Sequence, residues 1–142
     1  MLRRLILISA IAAGLHHIWE TNHVVLYGGY ENLTNLPIAL WATTGDVVYT
    51  LGAYFFVALL KRDINWLVRM TKLDLLSLAF IGFVISLYVE YRALALERWF
   101  YLDAMPIIPG LEVGLSPVVQ MTVLLPTVFF VTRIMSKRFS WE

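Results

Sequence analysis

All three histidines of the chain fall within ten residues, GLHHIWETNH (14–23), directly after the apolar run LILISAIAA. Imidazole and carboxylate on successive helical turns can share a metal ion, relay a proton, or tie helices together by hydrogen bonds. At about 100° per residue, His16, Glu20 and His23 share one stripe with Ala12 and Ala13 a turn below, while His17 points elsewhere. A metal site needs further ligands from another helix, for which Asp46 and Glu90 are the candidates. The reading taken is that no metal and no cofactor is bound, and that the stripe works through protons and hydrogen bonds.

The environment of these groups follows from composition. Hydrophobic residues make up 60% of the 142 and charged residues only 15%, against about 25% charged in soluble domains. That marks an integral membrane chain with room for four spans of about 20 residues. With no cysteine, disulfides, thiolate metal sites and thiol redox chemistry are excluded. Nothing points to nucleic acid, and the expected contacts are membrane lipids, with a membrane-protein partner or a second copy as further options.

Hydropathy and turn signals predict an all-α, four-helix transmembrane bundle as one domain, 1–142, with spans at about 5–27, 36–60, 74–96 and 116–135 and an ordered outer loop at about 97–115. Pro37 sits in the first turn of the second span, and Ser116 before Pro117 reads as the N-cap of the fourth. The opening MLRRLILISAIAA also has the shape of a signal peptide, with Ala10-Ile11-Ala12 resembling a cleavage site; a retained first span is the reading used. Arg3, Arg4, Lys61, Arg62, Arg69, Lys72, Arg133, Lys137 and Arg138 gather on one side, with only Arg92 and Arg98 on the other, so both termini are expected to be cytoplasmic in a multi-pass cell-membrane protein. Trp66 and Trp141 then mark the inner interface, and Trp19, Trp41 and Trp99 the outer one. Asn32-Leu33-Thr34 matches a glycosylation sequon by pattern only.

Depth places the polar groups together. At 1.5 Å per residue, His16 lies about 18 Å and His23 about 28 Å from the inner surface, and Asp46 about 15 Å below the outer one. Glu90 and Gln120 lie within about two turns of the outer ends of their spans. On the second span Ala39, Thr43, Asp46, Tyr49, Thr50 and Ala53 share a face, and small residues beside polar ones mark packing surfaces. An outward-opening, wet or hydrogen-bonded pocket among the four helices is therefore expected, and elongated density between the first and second spans is the observation that would bear on it most.

A carboxylate at that depth costs at least about 2.5 kcal/mol on insertion scales, which makes it a functional candidate. The competing reading is a helix tie, stabilising by roughly 0.6 kcal/mol per hydrogen bond. The catalytic candidates are Asp46, Glu20, Glu90 and His16; the substrate-binding candidates are Tyr49, Arg98, Trp99, Tyr101, Gln120 and His23. In EYRALALERWFYLDAMPIIPGLEVGLSPVVQ (90–120), Pro106 and Pro109 stiffen and Gly110 and Gly114 permit turns, as in an ordered cap that serves either as a lid or as an interfacial anchor. Arg98 is placed to pair with a pocket carboxylate or a lipid phosphate.

The combination of TTGDVVYTLGAY (43–54) with that 90–120 segment resembles a group of small four-span bacterial membrane proteins. The resemblance runs from about Thr43 to Pro126 and implies that Asp46, Glu90, Arg98, Trp99, Tyr101, Pro106 and Gln120 act as one unit; it supplies no activity. In layout alone the chain is similar to carotenoid cyclases and hydratases and to four-span sterol isomerases. Three function classes fit. They are acid–base chemistry on, or binding of, a lipid or isoprenoid; a non-catalytic subunit or assembly factor of a membrane complex; and a small dimeric transporter.

Overall fold

Each helix buries one face and leaves a largely apolar surface outside it, except for the polar last turns of the first helix. The computed structural model describes residues 1–31 and 33–138, so the Asn32 sequon and Trp141 lie outside the described residues. The helices are α1 (Leu2–His23), α2 (Ile38–Lys61), α3 (Lys72–Ala95) and α4 (Leu115–Arg138). Three of them, α2, α3 and α4, are long and apolar enough to cross a membrane. α1 falls short of that composition because its last two turns hold His16, His17, Glu20, Thr21, Asn22 and His23. Yet it buries only Arg4, Ile8, Ala12, His16, Glu20 and His23, at steps of four and three residues, while Leu2, Ile6 and Ile18 stay exposed. Rows of exposed Leu, Phe and Val also cover α2, α3 and α4, an apolar area far beyond what a water-soluble monomer shows.

α1 packs between α2 and α4, and α3 packs on the far side of α4, so α2 and α3 scarcely touch. The closest approach is at Gly82 of α3, where a Cβ would stand 2.2 Å from the carbonyl oxygen of Met121. Pro126 lies inside α4 just beyond and leaves the Thr122 carbonyl without its helical donor. Gly82→Ala is expected to force α3 and α4 apart and to lower the unfolding free energy by roughly 1–3 kcal/mol, read as a fall in thermal midpoint in detergent. An unchanged midpoint would mean that this contact is looser than it stands here.

The end carrying Lys61, Arg69 and Lys72 is closed by aromatic packing. Trp66 is 1% exposed; it lies against Tyr54 and Phe129 and donates from Nε1 to the Tyr54 carbonyl at 3.1 Å. At this end Trp66 faces inward: the short 3-10 helix Trp66–Arg69 folds back and plugs the bundle. α3 starts two residues earlier than expected because Thr71 and Asp74 form a reciprocal capping box, which satisfies two otherwise orphaned backbone N–H groups.

At the other end α1 stops at His23, short of Tyr27, and passes through a 3-10 turn, Val24–Leu26, into β1 (Tyr27–Gly28). β1 pairs antiparallel with β2 (Phe100–Tyr101), and β3 (Ile107–Ile108) with β4 (Val113–Gly114). The loops after α1 and after α3 are thus zipped into one cap, reinforced by Leu102 N–H donating to the Leu26 carbonyl at 2.9 Å. The turn between β3 and β4 uses Gly110 at φ +80°, a region that glycine enters without penalty.

Candidate functional site

The gap between α2 and α3 is a cavity of about 550 Å³, within the range of small-molecule sites. Its floor and back wall are set by α1 and α4, which contribute Glu20, His23 and Gln120, while Asp46 and Tyr49 come from α2 and Glu90 from α3. Trp99 and Arg98 close it toward the cap. All four helices contribute to its lining, and because α1 and α2 pack on one another while α2 and α3 scarcely touch, the space lies on the α3 side of α2.

One side chain gathers the polar groups. Gln120, 2% exposed, directs its amide nitrogen at Glu20 Oε1 (2.7 Å), Asp46 Oδ2 (2.9 Å) and His16 Nδ1 (3.1 Å). An amide carries two hydrogens, so two of these three acceptors can be served. The carboxylate oxygens take them, and His16 Nδ1, 3.3 Å from Asp46 Oδ2, balances the count by donating its own hydrogen to Asp46. His16 is wholly buried behind Asp46 and does not reach the cavity wall, so its role there is to orient the carboxylate.

The network continues toward the cap. His23 Nε2 lies 3.0 Å from Glu20 Oε2 and its Nδ1 lies 2.8 Å from Ser116 Oγ. The carboxylate oxygen accepts, so His23 Nε2–H donates to Glu20, its Nδ1 takes the serine hydroxyl's hydrogen, and Trp19 Nε1 donates to that same serine oxygen at 3.3 Å. Ser116 thus spends its hydroxyl on α1, where the sequence suggests a helix cap. His17 turns to α2, with Nδ1 3.3 Å from Thr43 Oγ1. Since that hydroxyl donates to the Ala39 carbonyl at 2.6 Å, the imidazole is the donor.

Glu90, 3% exposed, is held from the cap. Its Oε2 accepts from Tyr101 OH at 2.5 Å and from Trp99 Nε1 at 3.4 Å. Burial, and then the hydrogen bond to Glu90, raise the Tyr101 phenol above its ordinary pKa, so it stays protonated and remains the donor. Tyr101 stands behind Glu90, away from the cavity wall, and Tyr27 packs edge-on between His23 and Trp99 with ring centroids 5.3 and 6.0 Å away.

The three carboxylates are therefore not equivalent. Both oxygens of Glu20 are bonded within the chain. Asp46 and Glu90 each engage one oxygen, and among the described residues no side-chain donor bonds the second, Oδ1 of Asp46 and Oε1 of Glu90. Both residues line the cavity, which makes these oxygens the candidates to meet a molecule in it. Arg98 and Arg92 line the mouth, and no ion pair joins either of them to a carboxylate among the described residues. No group of three His, Asp or Glu side chains is arranged to hold a metal among the described residues.

Several participants had no separate signal in the sequence. Ser116, Trp19, Tyr27 and Arg92 gain their roles from helices and loops distant along the chain, and only the density of aromatics in 90–120 pointed toward the cap. Comparison of the chain with protein-family models, with curated proteins and with solved structures finds no match, so the site is read from its own chemistry.

Proposed function

We propose that the cavity admits a lipid- or isoprenoid-like molecule sideways through the opening between α2 and α3 and performs acid–base chemistry on it, with Asp46 and Glu90 as the proton-exchanging groups. One observation supports this reading: a mainly apolar cavity flanked by two helices long and apolar enough to cross a membrane and lined by two carboxyl groups, each with one oxygen that no side-chain donor bonds among the described residues. Protonating an apolar substrate and removing a proton elsewhere on it needs two such groups on one cavity. Gln120, His16 and Tyr101 fix their orientation, and water is limited by the cap. Tyr49, Trp99 and Trp41 offer flat apolar surfaces to the substrate, while Arg98 and Arg92 suit a polar or anionic end. Purified from its own membrane and extracted into organic solvent, the protein should release one such molecule in near one-to-one amount by mass spectrometry.

A second reading, a subunit or assembly factor, draws on Glu20, whose oxygens are both satisfied by the chain itself as in a helix tie. A fixed protein complex with nothing in the cavity would favour it over the first.

The proposal includes orientation. All four helices span the cell membrane, with the basic end and both termini in the cytoplasm and the cap outside, on the strength of the basic residues at 3–4, 61–72 and 133–138. Reporter fusions after Lys61 and after Lys137 should read cytoplasmic, and one within Asp103 to Leu111 external. An internal reading for the last would invert the site.

A further inference from the structure

The cavity has two unlike ends. Its lining runs on α3 from Ile85 to Ala93 and on α2 from Ile38 to Tyr49, about 12 and 17 Å along the helix axes. Glu90 lies about one turn from the cap end of that stretch on α3, and Asp46 about one turn from the far end on α2. The two carboxyl groups thus stand at different depths, Glu90 toward the cap and Asp46 toward the floor.

Two cations occupy the cap end. Arg92 is exposed and Arg98 half-buried, and both line the cavity, so both present surface to a molecule in it. Neither forms an ion pair among the described residues, since Glu90 accepts instead from Tyr101 and Trp99 and Glu20 from His23 and Gln120. Trp41 and Trp99 line the cavity beside them, and indoles suit the level of lipid head groups. A phosphate monoester carries about −1.5 to −2 charges at pH 7. It therefore balances two guanidinium groups where a carboxylate balances one, and the guanidinium fork matches its oxygens.

Resting on the acid–base reading of this cavity, we propose that its substrate is an unsaturated isoprenoid chain with a phosphate head, held head toward the cap by Arg92 and Arg98. The chain runs down between Trp41 and Tyr49 of α2 and Ile85 and Val89 of α3. Carbons next to the head then meet Glu90, and carbons further along meet Asp46. A saturated acyl chain in the same place offers no double bond to take up a proton.

The test uses the full chain in detergent, freed of bound lipid and titrated with farnesyl phosphate, farnesol or inorganic phosphate, with binding read by native mass spectrometry and tryptophan fluorescence. Farnesyl phosphate should bind at least about ten-fold more tightly than farnesol, and an equal concentration of inorganic phosphate should not displace it. Arg92→Gln and Arg98→Gln should each weaken farnesyl phosphate about five-fold, the value of one basic residue near a head group, and leave farnesol within about two-fold. Arg62→Gln, at the opposite end of the bundle, should change neither. Equal binding of farnesyl phosphate and farnesol to the parent, with both lost in Gly45→Phe, would overturn the phosphate head and leave the cavity reading standing. Displacement by inorganic phosphate would make the arginines a site for free phosphate and overturn it as well. If neither isoprenoid binds, or both bind Gly45→Phe as they bind the parent, the cavity reading fails and the proposal falls with it.

Discussion

Asp46→Asn is expected to yield a folded protein without its chemistry. The amide keeps volume and an acceptor for Gln120, whose nitrogen lies 2.9 Å from Asp46 Oδ2, but it cannot exchange a proton at the oxygen that faces the cavity. Removal of a general acid or base lowers rates by about 10²- to 10⁴-fold, while the exchange of one hydrogen-bonding partner for another changes stability by about 1 kcal/mol. Conversion of the bound molecule, or complementation of a deletion strain, should therefore fall to the level of the deletion while the thermal midpoint stays near that of the parent. A fully active Asp46→Asn protein would reduce Asp46 to a helix tie.

Gln120→Leu should act in the opposite way, on the fold first. Gln120 supplies a hydrogen to Glu20 Oε1 and one to Asp46 Oδ2; Asp46 Oδ2 also accepts from His16, whereas Glu20 Oε1 has no other hydrogen-bond donor among the described residues. Leucine leaves Glu20 Oε1 without a donor and Asp46 Oδ2 with His16 alone, two carboxylate oxygens near one another, and an unsatisfied buried acceptor costs about 1–3 kcal/mol or more when charged. A loss of about 3 kcal/mol corresponds to a fall in midpoint of roughly 6–12 °C for a chain of this size. Gln120→Glu should be no better, because it replaces the shared donor with a third acceptor. A midpoint within two degrees of the parent for Gln120→Leu would mean that the network contributes little.

The contrast between these residues shows what periodicity can and cannot reveal. His16, Glu20 and His23 were legible as one stripe because all three lie on one helix, where spacing alone fixes the face. Their division of labour was not, since it depends on Gln120 and Ser116 from the far end of the chain. Helix spans were read from apolar runs, yet α1 ends early at His23 because Tyr27 and Gly28 are drawn into pairing with Phe100 and Tyr101, and strands of two residues have no period to detect. The inward packing of Trp66 is hidden for a related reason. An indole in a basic loop suits an interface as well as a plug, and only the Tyr54 and Phe129 rings decide between them. Which pair of helices would separate was beyond the sequence, because the gap between α2 and α3 follows from the tight contact that Gly82 permits between α3 and α4.

The central claim is that the α2–α3 cavity holds a molecule taken from the membrane, and glycines allow it to be tested by filling the space. Gly45 lines the cavity and a Cβ there meets nothing within 4 Å; Gly14 is equally open but lies on the exposed side of α1. Gly45→Phe and Gly14→Phe, purified from the native membrane and extracted in parallel with the parent, should differ in one respect. The account predicts that the one-to-one lipid-like molecule remains in the parent and in Gly14→Phe and is lost from Gly45→Phe, with all three proteins folded. The same molecule bound in equal amount by a folded Gly45→Phe protein would contradict it.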